Sequence, residues 1–216
     1  MSAVMNSVED APRVLPGFEG IGRYWDPMHK MYAAKILPGE YYVTRAKEMM
    51  VTVLGSCISA CVRDAEMGVG GMNHFMLPAS QHESHGTWGG DSTRDHTMRY
   101  GDFAMKRLIN DVLRNGGRRE NLEVKIFGGG RILATMTDIG GRNIDFVHQY
   151  IRDAGLHLAN EDTGGIYPRK IYYFPETGKV RVKKLRTLHN STIVDREASY
   201  MHQLEEVDSL LLGESV

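Results

Sequence analysis

The residues best suited to covalent chemistry are Gly55-Ser56-Cys57 and, seventeen positions on, His74 within Gly70-Gly71-Met72-Asn73-His74-Phe75. A cysteine thiolate is a potent nucleophile, and an imidazole beside it can hold the thiol deprotonated and later act as a general base on water. Gly55 allows an unusual backbone angle, and a bend there turns consecutive N–H groups toward one point, as an oxyanion next to a cysteine nucleophile requires. A third group must orient the imidazole, and Thr52 and Asn73 are the candidates. Each residue also has a plainer role open to it. A cysteine at the start of a buried strand serves as a small apolar filler, and a histidine in an apolar segment as a hydrogen-bonded core residue.

The chain holds only two cysteines. Cys57 and Cys61 lie four apart on what reads as one extended strand, about 13 Å at ~3.3 Å per residue. That is beyond the ~7 Å between Cα atoms that a disulfide tolerates, and the spacing is not that of a zinc knuckle. Both are expected to be free thiols, with Cys61 the filler.

Other clusters suggest less. The glycines at 128–130 and 164–165 match neither a P-loop nor a dinucleotide fingerprint, so turns or close backbone packing are expected and no cofactor. His82, His85, Asp91, Asp95 and His96 are irregularly spaced on a loop, which predicts solvated side chains and no metal site. Arg181, Lys183, Lys184 and Arg186 form a basic strand near no stacking aromatics, read as a solvated edge or a docking face for an acidic protein.

The elements that must position the thiol and imidazole follow from composition and periodicity. The 216 residues suffice for one well-buried domain, and 42% apolar with 25% charged is ordinary for a soluble globule. A formal net charge of −1 argues against nucleic acid or an anionic membrane as main partner. No apolar run approaches the ~20 residues of a membrane span and no secretory signal is visible, so the cytoplasm is expected. Three divisions are expected: a loosely ordered extension over 1–36, a catalytic domain over 37–190, and a C-terminal amphipathic helix with tail over 191–216. Strands are predicted at Glu40–Arg45, Met50–Leu54, Cys57–Arg63, Val69–Met76, Leu122–Phe127 and Leu156–Glu161, with a hairpin of Ile171–Phe174 and Lys179–Leu185. Helices are predicted at Gly101–Asn115, Asn143–Ala154 and Arg196–Leu212, the last with Tyr200, Leu204, Val207 and Leu211 on one stripe. Pro78–Thr97 reads as a long polar loop. The fold class is therefore mixed α/β without strict βαβ alternation.

Several of these segments together resemble the chemoreceptor glutamine deamidase family, CheD. The resemblance rests on Thr52-Val53-Leu54-Gly55-Ser56-Cys57, on Gly70 to Pro78, and on Arg99-Tyr100-Gly101-Asp102 with Ala104-Met105. It extends through Lys125 to Gly129, Ile139-Gly140 with Arg142-Asn143, and Glu161 to Gly165. Arg23-Tyr24-Trp25-Asp26 and Pro38-Gly39-Glu40 look like the longer, proteobacterial-type branch. The match covers about residues 20 to 190. It implies a layered α/β sandwich on mixed or antiparallel sheets with packed helices, similar to toxin-type glutamine deamidases. It also implies a protein-glutamine deamidase acting on chemotaxis receptors through a cysteine thioester, with Cys57 as nucleophile, His74 as base and Thr52 as the third catalytic residue. Some members place the threonine one position earlier, where this chain has Val51, and a one-residue slip on a strand reverses the side-chain face. The implied partners are receptors and a CheC-type phosphatase. A non-catalytic receptor- or CheC-binding adaptor is the alternative from another class. A peptidase or transglutaminase on the same dyad is a third.

Overall fold

Short apolar runs punctuated by glycine become strands because a pleated segment needs only a few alternate residues to cover a core. The computed structural model describes residues 11–77, 91–132, 138–186 and 191–213. In chain order the strands are β1 (Arg23–Asp26), β2 (Met31–Lys35), β3 (Tyr41–Thr44), β4 (Met49–Leu54), β5 (Ile58–Asp64) and β6 (Val69–Asn73). After them come β7 (Leu122–Gly128), β8 (His157–Thr163), β9 (Arg169–Phe174) and β10 (Lys179–Lys184). The α-helices among the described residues are α1 (Asp91–Arg114), α2 (Ile139–Asp153) and α3 (Ser191–Gly213).

Two five-stranded sheets result, ordered β1-β2-β4-β9-β10 and β3-β6-β5-β7-β8. Pairing is antiparallel except for β2 with β4 and β7 with β8. The second parallel pair is joined by α2, because parallel neighbours need a crossover connection. Met50, Leu54, Ile171 and Tyr173 of the first sheet join Ile58, Val62, Met72 and Ile126 of the second in one core. Helix α1 packs across β3, β5 and β6, and α2 against β5 and β8. The expected α/β class and mixed sheets are thus present, as is the predicted β9–β10 hairpin.

Three expectations change. The stretch 1–36, expected to be loosely ordered, contains β1 and β2, while residues 1–10 lie outside the described residues. These strands are short, and a cross-strand edge-to-face pair of Trp25 and Tyr32 supplies packing that their few aliphatic residues do not advertise. Helix α1 begins at Asp91, so the end of the expected 78–97 loop is helical; residues 78–90 lie outside the described residues. Helix α2 begins at Ile139, where the Asp138 carboxylate accepts from Gly141 N–H at 3.0 Å and caps the first turn.

Candidate active site

Strand alternation decides which β4 residue reaches the site. Met49 and Val51 face outward into a small cluster with Ala33, whereas Met50 and Leu54 enter the main core. Thr52 shares the inward face and is buried, with its Oγ1 2.8 Å from Nδ1 of His74. His74 follows directly on β6, and a two-way backbone bridge fixes it beside the cysteine. Ile58 N–H donates to Phe75 O at 2.8 Å and Phe75 N–H to Ile58 O at 2.9 Å. Asn73, the other candidate orienter, points elsewhere: its Oδ1 accepts from Ala60 N–H and its Nδ2 donates to Ala104 O.

The Thr52 hydroxyl also fixes the imidazole tautomer. Its one proton goes to the Ile36 carbonyl at 2.8 Å, which can only accept. Oγ1 must therefore accept from Nδ1–H, leaving the lone pair on Nε2. That nitrogen is buried and has no hydrogen-bond partner among the described residues. Cys57 Sγ, a ring nitrogen of His74 and a carboxylate oxygen of Glu197 lie within 4.8 Å of one another. Since Nδ1 is engaged by Thr52, Nε2 is the atom placed to take the thiol proton.

The turn bearing Cys57 is gripped from below. Gly129 N–H donates to Cys57 O at 2.8 Å and Gly130 N–H to Gly55 O at 2.7 Å. Gly128 has φ +114°, and a Cβ there would sit 2.0 Å from Cys57 O, so only glycine fits this approach. The expectation that 128–130 reflects close backbone packing holds. Asn143 of α2 pins the turn from the side, donating to Ser56 O at 2.9 Å and accepting from Leu77 N–H at 2.8 Å. Gly55 is not in the left-handed region, contrary to the expectation of an unusual angle there. It is glycine for space: a Cβ would lie 2.1 Å from Ile132 Cδ1 and 2.7 Å from Glu197 Oε2.

The amides of this turn do converge, and on Glu197. Its carboxylate accepts from Gly55 N–H and Ser56 N–H at 2.8 Å each, Ser56 Oγ–H at 2.7 Å and Cys57 N–H at 3.4 Å. Burial, then the Glu197 charge, pushes the Cys57 thiol well above its ordinary range. Burial brings His74 down to about 4. Burial thus favours the neutral form of both groups, and the Glu197 charge adds to that at the thiol while opposing it at the imidazole. Cys57, His74 and Glu197 are of metal-binding types, but four donors already occupy the carboxylate. Both cysteines are free and buried.

The family profile described as CheD chemotactic sensory transduction matches residues 76–184. A protein of Halorhodospira halophila named probable chemoreceptor glutamine deamidase CheD is 56% identical over 95% of this chain and 94% of its own length. The chain belongs to the CheD family. Proteins of the same name from Hahella chejuensis (48% identical, 94% of each chain) and Methylobacillus flagellatus (50%, 84% of this chain and 88% of that one) are also similar.

Several segments far apart in the chain gather at this one site. His74 lies between Thr52 and Cys57, while Gly128-Gly129 and Asn143 hold the turn. Arg169 ties the second glycine pair to it, bonding Asp162 and the Gly164 carbonyl while Gly164 N–H donates to Gly128 O. No motif in the sequence marks Glu197. Its only signal is a carboxylate within the apolar spacing Ile193, Met201, Leu204. Of the histidine-rich cluster, His82 and His85 lie outside the described residues. Arg181 and Arg186 are exposed as expected but do have aromatic neighbours, with Arg181 over Phe174 and Arg186 over Tyr167. The register of the β9–β10 hairpin brings the first of these pairs together. No helix among the described residues is long and apolar enough to cross a membrane.

Proposed function

We propose that this chain is a cytoplasmic protein-glutamine deamidase that converts glutamine side chains of chemoreceptors to glutamate. The observation that carries the proposal is the site itself. A thiol, an imidazole with a free Nε2 lone pair, and three backbone N–H groups already holding a carboxylate lie together at one buried site. The names of the similar proteins supply the substrate class.

Cys57 gives its proton to His74 Nε2, and the thiolate attacks the glutamine amide carbon. The oxyanion that forms is held by the N–H groups of Gly55, Ser56 and Cys57. His74 returns the proton to the departing ammonia, and a thioester remains. Water, deprotonated by His74, hydrolyses the thioester to the carboxylate and frees the thiol. Thr52 is a positioning residue, acting through Nδ1. Each turnover adds one negative charge to the receptor.

Mass spectrometry of receptor cytoplasmic fragments tests this: wild type adds ~1 Da per converted glutamine with loss of ammonia, as thioester hydrolysis requires. Full activity in Cys57→Ala defeats it. The adaptor reading draws on the burial of both Cys57 and His74, and it requires tight receptor or CheC-type binding with no ammonia released.

A further inference from the structure

Helix α3 covers the site with a stripe of buried residues, Ile193, Glu197, Met201 and Leu204, while Thr192, Asp195, Ala198, Ser199, His202 and Gln203 face outward. These spacings of four, four and three are those of one helix face. Beside the carboxylate, Arg196 donates to Val53 O at 2.8 Å, and the Tyr200 hydroxyl bonds that of Tyr100. A glutamate on a helix, with its carboxylate on the amides of the cysteine turn and within 4.8 Å of Sγ, is what a glutamine-bearing helix becomes after deamidation.

We propose that α3 is a built-in product analogue lying in the groove that receives the substrate helix, so that substrate must displace it. The same contacts define the partner: an amphipathic helix carrying glutamine where α3 carries Glu197, with apolar residues four before it and four and seven after it. A substrate glutamine needs the very N–H groups that Glu197 holds, so the two helices exclude each other. In this closed state the site is held inactive, since the N–H groups that would hold the oxyanion are already occupied by Glu197.

The inference rests on the proposed deamidase activity, and the full-length Glu197→Gln variant tests it. Position 197 then becomes an intramolecular substrate. Cys57 Sγ bonds to its amide carbon and its C–N bond breaks. The Cys57 proton leaves on ammonia by way of His74, and water restores the thiol and leaves glutamate. Lys-C digestion releases the segment after Lys184 with position 197 internal. The expected result is a gain of ~1 Da at that position, or a Cys57-to-197 thioester lighter by ~17 Da, as acyl transfer with loss of ammonia dictates. Either is absent from a Cys57→Ala/Glu197→Gln control.

Glutamine persisting at 197 at the control's rate overturns the inference. If wild type deamidates receptor fragments in the same experiment, the deamidase reading survives that failure, and if it does not, both fall. A second measurement does not depend on catalysis. In Glu197→Ala, iodoacetamide should label Cys57 about tenfold faster or more, because hydrogen bonds to a charged group no longer hold the helix closed. Cys61, buried in β5, should stay unlabelled and so reports an intact fold. An unchanged Cys57 rate counts against the helix as a cover.

Discussion

Replacing Thr52 by valine removes the hydroxyl that sets the His74 tautomer while keeping a β-branched side chain suited to the interior of β4. In the wild type one oxygen serves two buried partners, accepting from Nδ1–H and donating to Ile36 O, each at 2.8 Å. Without it both are stranded in a site where His74 is 1% exposed. A buried polar group left unpaired costs roughly 1–3 kcal/mol. Moving the ring proton to Nε2 does not help, because that nitrogen then has no lone pair for the thiol. Charged to the productive tautomer alone, the loss lowers kcat by roughly 5- to 150-fold. KM for a receptor peptide should hold, since Thr52 lies behind the imidazole. Ammonia release measured in a coupled assay separates the two constants. Thr52→Ser, which keeps the oxygen, should recover most of the rate. A Thr52→Val enzyme with wild-type kcat would refute the tautomer argument. So would a Thr52→Ser enzyme as slow as the valine variant, since the hydroxyl would then not be what matters.

Asn143→Ala strands Ser56 O and Leu77 N–H. Urea unfolding should show a loss of about 1–3 kcal/mol, together with slower turnover at a displaced Cys57. Gly128→Ala forces a Cβ to 2.0 Å from Cys57 O at φ +114°, so thermal unfolding should move to lower temperature and deamidation should fall with it. Stability should also depend on pH through His74, whose ordinary value of 6.5 falls to about 4 in the fold. The unfolded chain binds the extra proton between those values, so stability is constant above about 6.5 and declines as pH drops toward 4. In His74→Gln, urea titrations across that window should show a flatter pH slope than in wild type.

What was legible in the chain was local. Runs such as Ile58–Asp64 and the helical spacing of α2 read directly as elements, because their apolar periodicity is strong. Segments Arg23–Asp26 and Asp91–Arg99 did not. The first holds its place through an aromatic pair, and the second is a helical turn sequence without apolar repeats. The thiol and imidazole were visible as residue types, but their meeting depends on the Ile58–Phe75 bridge, a register that spacing does not encode. The choice between Thr52 and Asn73 needed the facing of β4 and β6. Glu197 was the hardest to see, because it reaches Cys57 across 140 positions and its own helix reads as an ordinary amphipathic stripe. A lone carboxylate in the middle of that stripe was the available clue.

Acid-quenched intact-mass spectrometry looks for the proposed thioester between Cys57 and a receptor glutamine. During turnover of a glutamine-bearing receptor helix, the enzyme should carry an adduct equal to the peptide less ~17 Da, mapped to Cys57, as covalent catalysis with loss of ammonia requires. The adduct should be absent in Cys57→Ala and should form far more slowly in His74→Gln, which lacks the base that takes the thiol proton. Deamidation that proceeds at the wild-type rate in Cys57→Ala, with no adduct on any residue, would contradict it.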